Sequence, residues 1–145
     1  MIDCTKLEEC FTEFTDRKKT LIDRKGGKSK LLIENPTEKK FKILDIENCI
    51  YRGLKDETKC DYGILDDKIF YFVELKGCDV NKGIKQILET IKSLKHCLRS
   101  NEFKARLIVT RFTSTRSTYN TKDFKDLKKI VNQDLIIKNS HTEII

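Results

Sequence analysis

No stretch of the 145-residue chain approaches the roughly 18 consecutive apolar residues that a membrane span needs. The opening Met1-Ile2-Asp3-Cys4-Thr5-Lys6 also lacks the basic and then apolar run of a secretory signal. Both absences lead to the expectation of a cytoplasmic protein with no membrane partner. Histidine occurs only as His96 and His141, neither beside a ligand-spaced neighbour, which argues against a histidine-metal or Cys/His catalytic site. There is no P-loop or dinucleotide-binding glycine pattern, no internal repeat and no low-complexity tract. Among the six cysteines, Cys4, Cys10, Cys49, Cys60, Cys78 and Cys97, no two form a C-x2-C pair, and six in a chain of this length is too few for a disulfide scaffold. They read as reduced thiols that mostly pack.

What is present is charge. Hydrophobic residues at 38% suffice for one modest core, and the length suits a single domain spanning 1–145. The charged fraction of 37% leaves a heavily solvated surface, and 30 basic against 23 acidic residues give a net charge of +7. Such a field attracts polyanions, nucleic acid first among them, although a lysine-rich vocabulary also reflects the base composition of a genome.

The apolar spacing predicts the elements. Thr5-Lys6-Leu7-Glu8 has the form of a capping box, and Leu7, Cys10, Phe11 and Phe14 continue it as a helix over 5–16. Residues 17–30, basic and containing Gly26-Gly27, read as a mobile loop. Extended segments are expected over 29–34 and 41–52, with the only proline, Pro36, in the turn between them. A hairpin over 59–65 and 68–75 turns at Asp66-Asp67. Val80, Ile84, Ile87, Leu88, Ile91, Leu94 and Leu98 make one helical stripe over 80–98. A strand over 103–110, a helix over 121–133 with Phe124, Leu127, Ile130 and Val131 inward, and a short strand over 135–138 complete the series. Strand, crossover helix and strand require a parallel pair, and the hairpin makes the sheet mixed, so the expected class is α/β with a mixed central sheet flanked by helices.

One triplet stands apart. Acid-x-Lys occurs freely in so charged a chain, but only Glu74-Leu75-Lys76 ends an uninterrupted apolar strand, Ile69-Phe70-Tyr71-Phe72-Val73, of the kind buried on both faces. Charges there need compensation. If Asp66-Asp67 is a two-residue turn, Asp61 lies opposite Phe72 and diagonal to Glu74, so Asp61, Glu74 and Lys76 project from one side of the sheet. Two carboxylates within diagonal reach, with the carbonyl of Leu75, form a ligand set for Mg²⁺, and Lys76 beside them orients water or offsets developing charge. The competing reading is a surface ion network, because Lys59 faces Glu74 directly in this register.

On these residues the chain resembles the PD-(D/E)XK nuclease superfamily, the fold of many restriction enzymes, repair nucleases and Holliday junction resolvases. The likeness covers about half the chain. It implies a restriction endonuclease-like core, Asp61 and Glu74 as ligands of Mg²⁺ or Mn²⁺, and Lys76 as the catalytic lysine. Cys60 stands where the superfamily usually has proline before the first acid. Some relatives add a carboxylate from the first helix, for which Glu8 and Glu13 are the candidates, or a polar residue on the helix after the acid-x-Lys strand, here Gln86.

The segment Arg111-Phe112-Thr113-Ser114-Thr115-Arg116-Ser117-Thr118-Tyr119 follows a strand expected to run parallel to that of Glu74. Arg111, Arg116 and Tyr119, with Lys59, suit contacts to phosphates and bases. The expected function is hydrolysis of phosphodiester bonds in nucleic acid, DNA before RNA. The alternative is a non-catalytic nuclease-fold module that binds nucleic acid or serves as a subunit of a larger complex. So short a chain has little surface for sequence recognition, which favours a homodimer or a partner subunit.

Overall fold

The computed structural model describes residues 2–54, 58–98, 102–111 and 116–145. Among them, six strands form a central mixed sheet in the order β1-β4-β5-β6-β7-β8: β1 Phe11–Phe14, β4 Phe41–Asp45, β5 Tyr62–Asp66, β6 Ile69–Lys76, β7 Glu102–Val109 and β8 Leu135–Lys138. Pairing is antiparallel from β1 to β6 and parallel from β6 to β8. A second sheet has the order β2-β3-β9, from β2 Lys18–Ile22, β3 Lys30–Glu34 and β9 His141–Ile144. The main helices are α1 Cys4–Glu9, α2 Val80–Leu94 and α4 Lys122–Ile130, with the single turn α3 Arg116–Tyr119.

The apolar run of β6 splits between two cores because alternate residues point to opposite faces. Phe70 and Phe72 pack with α1, α2 and α4, whereas Tyr71, Val73 and Leu75 pack against Leu21, Leu31 and Ile33 of the smaller sheet. The central sheet is thus covered on both sides. The stripe read from the sequence is the buried face of α2, whose first turn is capped by Asp79 accepting from the Lys82 amide at 3.0 Å.

Several expectations are corrected. The helix over 5–16 is only one and a half turns long, and its cap is Asp3, accepting from the Thr5 amide, rather than a Thr5/Glu8 box. Phe11 and Phe14 instead belong to edge strand β1, where pairing with β4 outweighs helical spacing. The segment 17–30 is mostly a hairpin, with β2 paired to β3 around a tip at 23–28. Extended structure over 41–52 stops at Asp45, whose carboxylate accepts from the Asn48 amide and starts a π-helical turn, Ile46–Ile50. Ile130, expected inward, is 41% exposed. His141 lies in β9, paired in parallel with β3. The cysteines are not all reduced: Cys4–Cys97 and Cys10–Cys49 are disulfides, and Cys60 and Cys78 are thiols. Pairs this distant in sequence leave no spacing signal; the fold alone brings them together.

Gly63 on β5 makes room for the fully buried Phe70 ring, which a Cβ at that position would overlap. Gly63→Ala is therefore expected to destabilise the fold by about 1–3 kcal/mol through overpacking. Urea denaturation checks this, and an unchanged midpoint would show that the ring relocates freely.

Candidate metal centre and nucleic-acid cleft

The β5–β6 turn falls at Asp67-Lys68, with Asp67 at φ +54°, and Asp66 pairs with Ile69. This is a two-residue shift from the expected register, so facing parity is kept while partners change. The residue before β5, Asp61, comes opposite Glu74 rather than diagonal to it, and its N–H donates to the Val73 carbonyl at 3.2 Å. Lys59 correspondingly loses the place opposite Glu74 that the first register gave it.

Backbone bonds build the surroundings. The Asp61 carbonyl accepts from the amides of Ile46 and Glu47, which brings the π-helical turn against the start of β5. Asp61 Oδ2 accepts from the Leu75 amide at 2.9 Å, so Leu75 shapes the site through its N–H. On α2, Gln86 Nε2 donates to the Lys59 carbonyl at 2.9 Å, and Thr90 Oγ1 accepts from the Cys60 amide at 2.8 Å. Cys60 is thus fully buried between the acids and α2.

Asp61 lies between two further carboxyls, Glu47 and Glu74. Asp61 is 8% exposed and Glu74 2%, and the Asp61 carboxyl is close enough to those of Glu47 and Glu74 for each to act on the other's protonation. Burial, and then the hydrogen bond with Glu47, push Asp61 up to about 7. Burial, and then the charge of Asp61, push Glu74 up to about 9 against the opposing pull of Lys76. Burial would raise Glu47 as well, but the Lys25 ammonium at 2.8 Å and the bond with Asp61 hold it below the usual carboxylate range. The arrangement has an excess of acceptors, and among the described residues no hydrogen bond reaches the buried Glu74 Oε1 or Gln86 Oε1. Paired buried acids whose charged forms are disfavoured, next to acceptor oxygens lacking donors, fit a hard divalent cation with oxygen ligands.

Of the three acids, Glu47 lines a cleft of about 520 Å³ together with Lys25, Tyr51, Arg52 and Lys59, among others. Lys25 comes from the β2–β3 tip, which is anchored by Arg24 in a two-pronged contact with Asp45 at 2.9 and 3.0 Å. Ser29, at the base of that tip, donates to the Lys76 carbonyl at 2.7 Å.

The structure brings Asp61, Glu74, Lys76, Leu75, Gln86 and Lys59 into one neighbourhood. Arg111 reaches the same sheet edge, its amide donating to the Gly77 carbonyl at 3.3 Å, because β7 runs parallel to β6 with Val109 beside Lys76. Residues 112–115 of the hydroxyl-rich segment lie outside the described residues, and Arg116 begins α3. Tyr119 packs edge-on against Phe124 and lines a separate groove with β8. Glu8 is exposed on α1, and Glu13 is an exposed β1 residue paired with Lys42, so neither joins the acids. Sequence reasoning missed Glu47, Lys25 and Arg52. The available signal for Glu47 was Asp45-x-x-Asn48, a capping pattern inside a segment taken as extended. Compared with known proteins, the chain matches no family model, no curated protein and no solved structure.

Proposed function

We propose that this protein is a divalent-metal-dependent nuclease of PD-(D/E)XK type that hydrolyses phosphodiester bonds, in DNA before RNA. The observation that carries the reading is the buried Glu74 oxygen with no hydrogen bond, beside Asp61 and within electrostatic reach of Lys25, which lines the neighbouring cleft. Asp61 and Glu74 hold Mg²⁺ or Mn²⁺, with Glu47 the nearest further carboxylate in place of Glu8 or Glu13. When bound, the ion polarises the phosphodiester and lowers the pKa of a water. Lys76 places an ammonium at the strand end beside Glu74, where it orients the attacking water and offsets charge on the phosphate. Lys25, Arg52 and Lys59 hold flanking phosphates, and Arg111 extends the same positive edge. What supports a restriction endonuclease-like core is the order of antiparallel strands β4, β5 and β6, the crossover helix α2 and the parallel strand β7 within the mixed sheet.

The test is cleavage of labelled duplex, single-stranded and branched DNA and of RNA, with Mg²⁺ or Mn²⁺ and with chelator. Ion-dependent cleavage supports the proposal. Binding without cleavage under every condition would replace it with a nuclease-fold binding module.

Two substitutions separate the roles. Lys76→Ala is expected to remove turnover while leaving divalent-ion binding measurable by calorimetry, since an ammonium is not a ligand; loss of the ion would contradict that division. Lys25→Ala with Arg52→Ala is expected to lower the slope of log affinity against log salt by about one for each lost phosphate contact. Lys125→Ala with Lys129→Ala, on exposed positions of α4, should change it much less. Equal slopes for the two double variants would show that the positive charge acts diffusely.

A further inference from the structure

A second cluster of ligating atoms lies away from the acids, where α1 meets the end of α2. Cys4, His96 and Cys97 place two sulfurs and a ring nitrogen all within 4.8 Å of one another. Cys4 opens α1, while His96 and Cys97 belong to the 3-10 turn Lys95–Cys97 that follows α2. In this structure the two sulfurs are joined as a disulfide. His96 Nε2 lies 2.8 Å from the Ile2 carbonyl. A carbonyl only accepts, so Nε2 carries the proton and Nδ1 is the basic nitrogen of the ring. A backbone carbonyl that fixes the tautomer in this way is the usual support of a metal-bound imidazole.

The two disulfides differ in access. Cys4 is exposed and Cys97 half-buried, whereas Cys10 of the other pair is buried and no histidine shares its neighbourhood in such a group among the described residues. A thiol reductant therefore reaches Cys4–Cys97 first.

From this geometry we propose that Cys4, His96 and Cys97 form a redox-dependent zinc site: a disulfide when oxidised, and a Cys₂His ligand set for Zn²⁺ when reduced. Two equivalents of a small thiol supply two electrons and two protons, leaving two cysteine thiols and one small-molecule disulfide. Binding of Zn²⁺ then releases up to two protons as both sulfurs become thiolates, and His96 Nδ1 is the third ligand. Two sulfurs and one imidazole leave a fourth position for water or an external ligand. Both states tie α1 to the end of α2, so a chain in a reducing compartment keeps the link that the disulfide makes in an oxidising one.

The probe is Co²⁺, whose thiolate charge-transfer bands report sulfur ligation and are silent for ions held by Asp61 and Glu74. Protein reduced with a phosphine, which is then removed, should take one Co²⁺ per chain with thiolate and tetrahedral bands, and Zn²⁺ should displace it. Oxidised protein should show no such bands. Cys10→Ser with Cys49→Ser should retain them; Cys4→Ser with Cys97→Ser should lose them; His96→Ala should weaken Co²⁺ binding at least about tenfold. Bands that persist without Cys4 and Cys97, equal affinity in His96→Ala, or no bands in reduced wild type would each overturn the proposal. The wild-type comparison of oxidised with reduced protein stands even if a serine variant fails to fold.

Discussion

Glu74→Gln is expected to abolish ion-dependent cleavage and, at the same time, to raise the melting temperature measured in chelator. The two effects share one cause. Glu74 is almost wholly buried beside Asp61, so without a cation its charge is a cost to the folded state. Glutamine keeps the volume and removes the charge. On the proposed function the rate should fall about a thousandfold or more, since an ion held by Glu74 would supply several kcal/mol of transition-state stabilisation. The melting temperature in chelator should rise by about 3 °C or more. Its pH dependence has a definite sign. The folded carboxyls hold protons up to about 7 for Asp61 and about 9 for Glu74, whereas the unfolded chain releases them near pH 4. The folded state therefore loses stability as pH climbs from about 4 through those values. The advantage of Glu74→Gln should be small at pH 4 and grow toward pH 9. Mg²⁺ should stabilise wild type and not the variant. A variant less stable than wild type in chelator at pH 8 would show that the carboxylate is satisfied without a cation.

The second large effect lies on the other side of the sheet. Arg106 of β7 is 3% exposed, bonds Glu143 of β9 through Nε, and donates through Nη1 to Asp134 at 2.8 Å and to the Ala105 carbonyl at 3.0 Å. Its guanidinium also lies over the Tyr71 ring. Arg106→Met is expected to cost about 3–5 kcal/mol, because among the described residues it leaves the buried Glu143 carboxylate with His141 as its one remaining side-chain partner. Replacing both partners, Arg106→Met with Glu143→Leu, should recover a large part of that loss. Urea denaturation of the single and double variants decides it. A double variant as unstable as the single would mean that the arginine acts by packing alone.

How much of this was legible depends on the range of the forces involved. The stripe of α2 and the apolar run of β6 were readable because each buries a periodic face, and that run singled out Glu74 and Lys76. Asp61 kept its facing through a register error because parity survives a two-residue shift. Edge strands were not readable: β1 looked helical through Phe11 and Phe14, and β2 and β9 carry few apolar residues and owe their form to β3 between them. Glu47 was hidden for a related reason. Its turn exists because Asp45 caps it and Asp61, far along the chain, accepts its first amides. The disulfide pairs were invisible to spacing, so the absence of C-x2-C supported a reduced reading that the fold overturns.

The parallel pairing of β3 with β9 has a consequence for biosynthesis. Leu31 is made early, but its neighbour His141 emerges only when nearly the whole chain described here has been translated. Until then β3 has only β2 beside it, and a two-stranded ribbon is marginal in water. The tip of that ribbon carries Arg24 and Lys25, the residues that close over Asp45 and Glu47. The pairing of β5 with β6 that sets Asp61 opposite Glu74 can form while the chain is still on the ribosome, and Arg24 and Lys25 settle afterwards. A nascent chain would thus bring Asp61 and Glu74 together before Lys25 settles against Glu47.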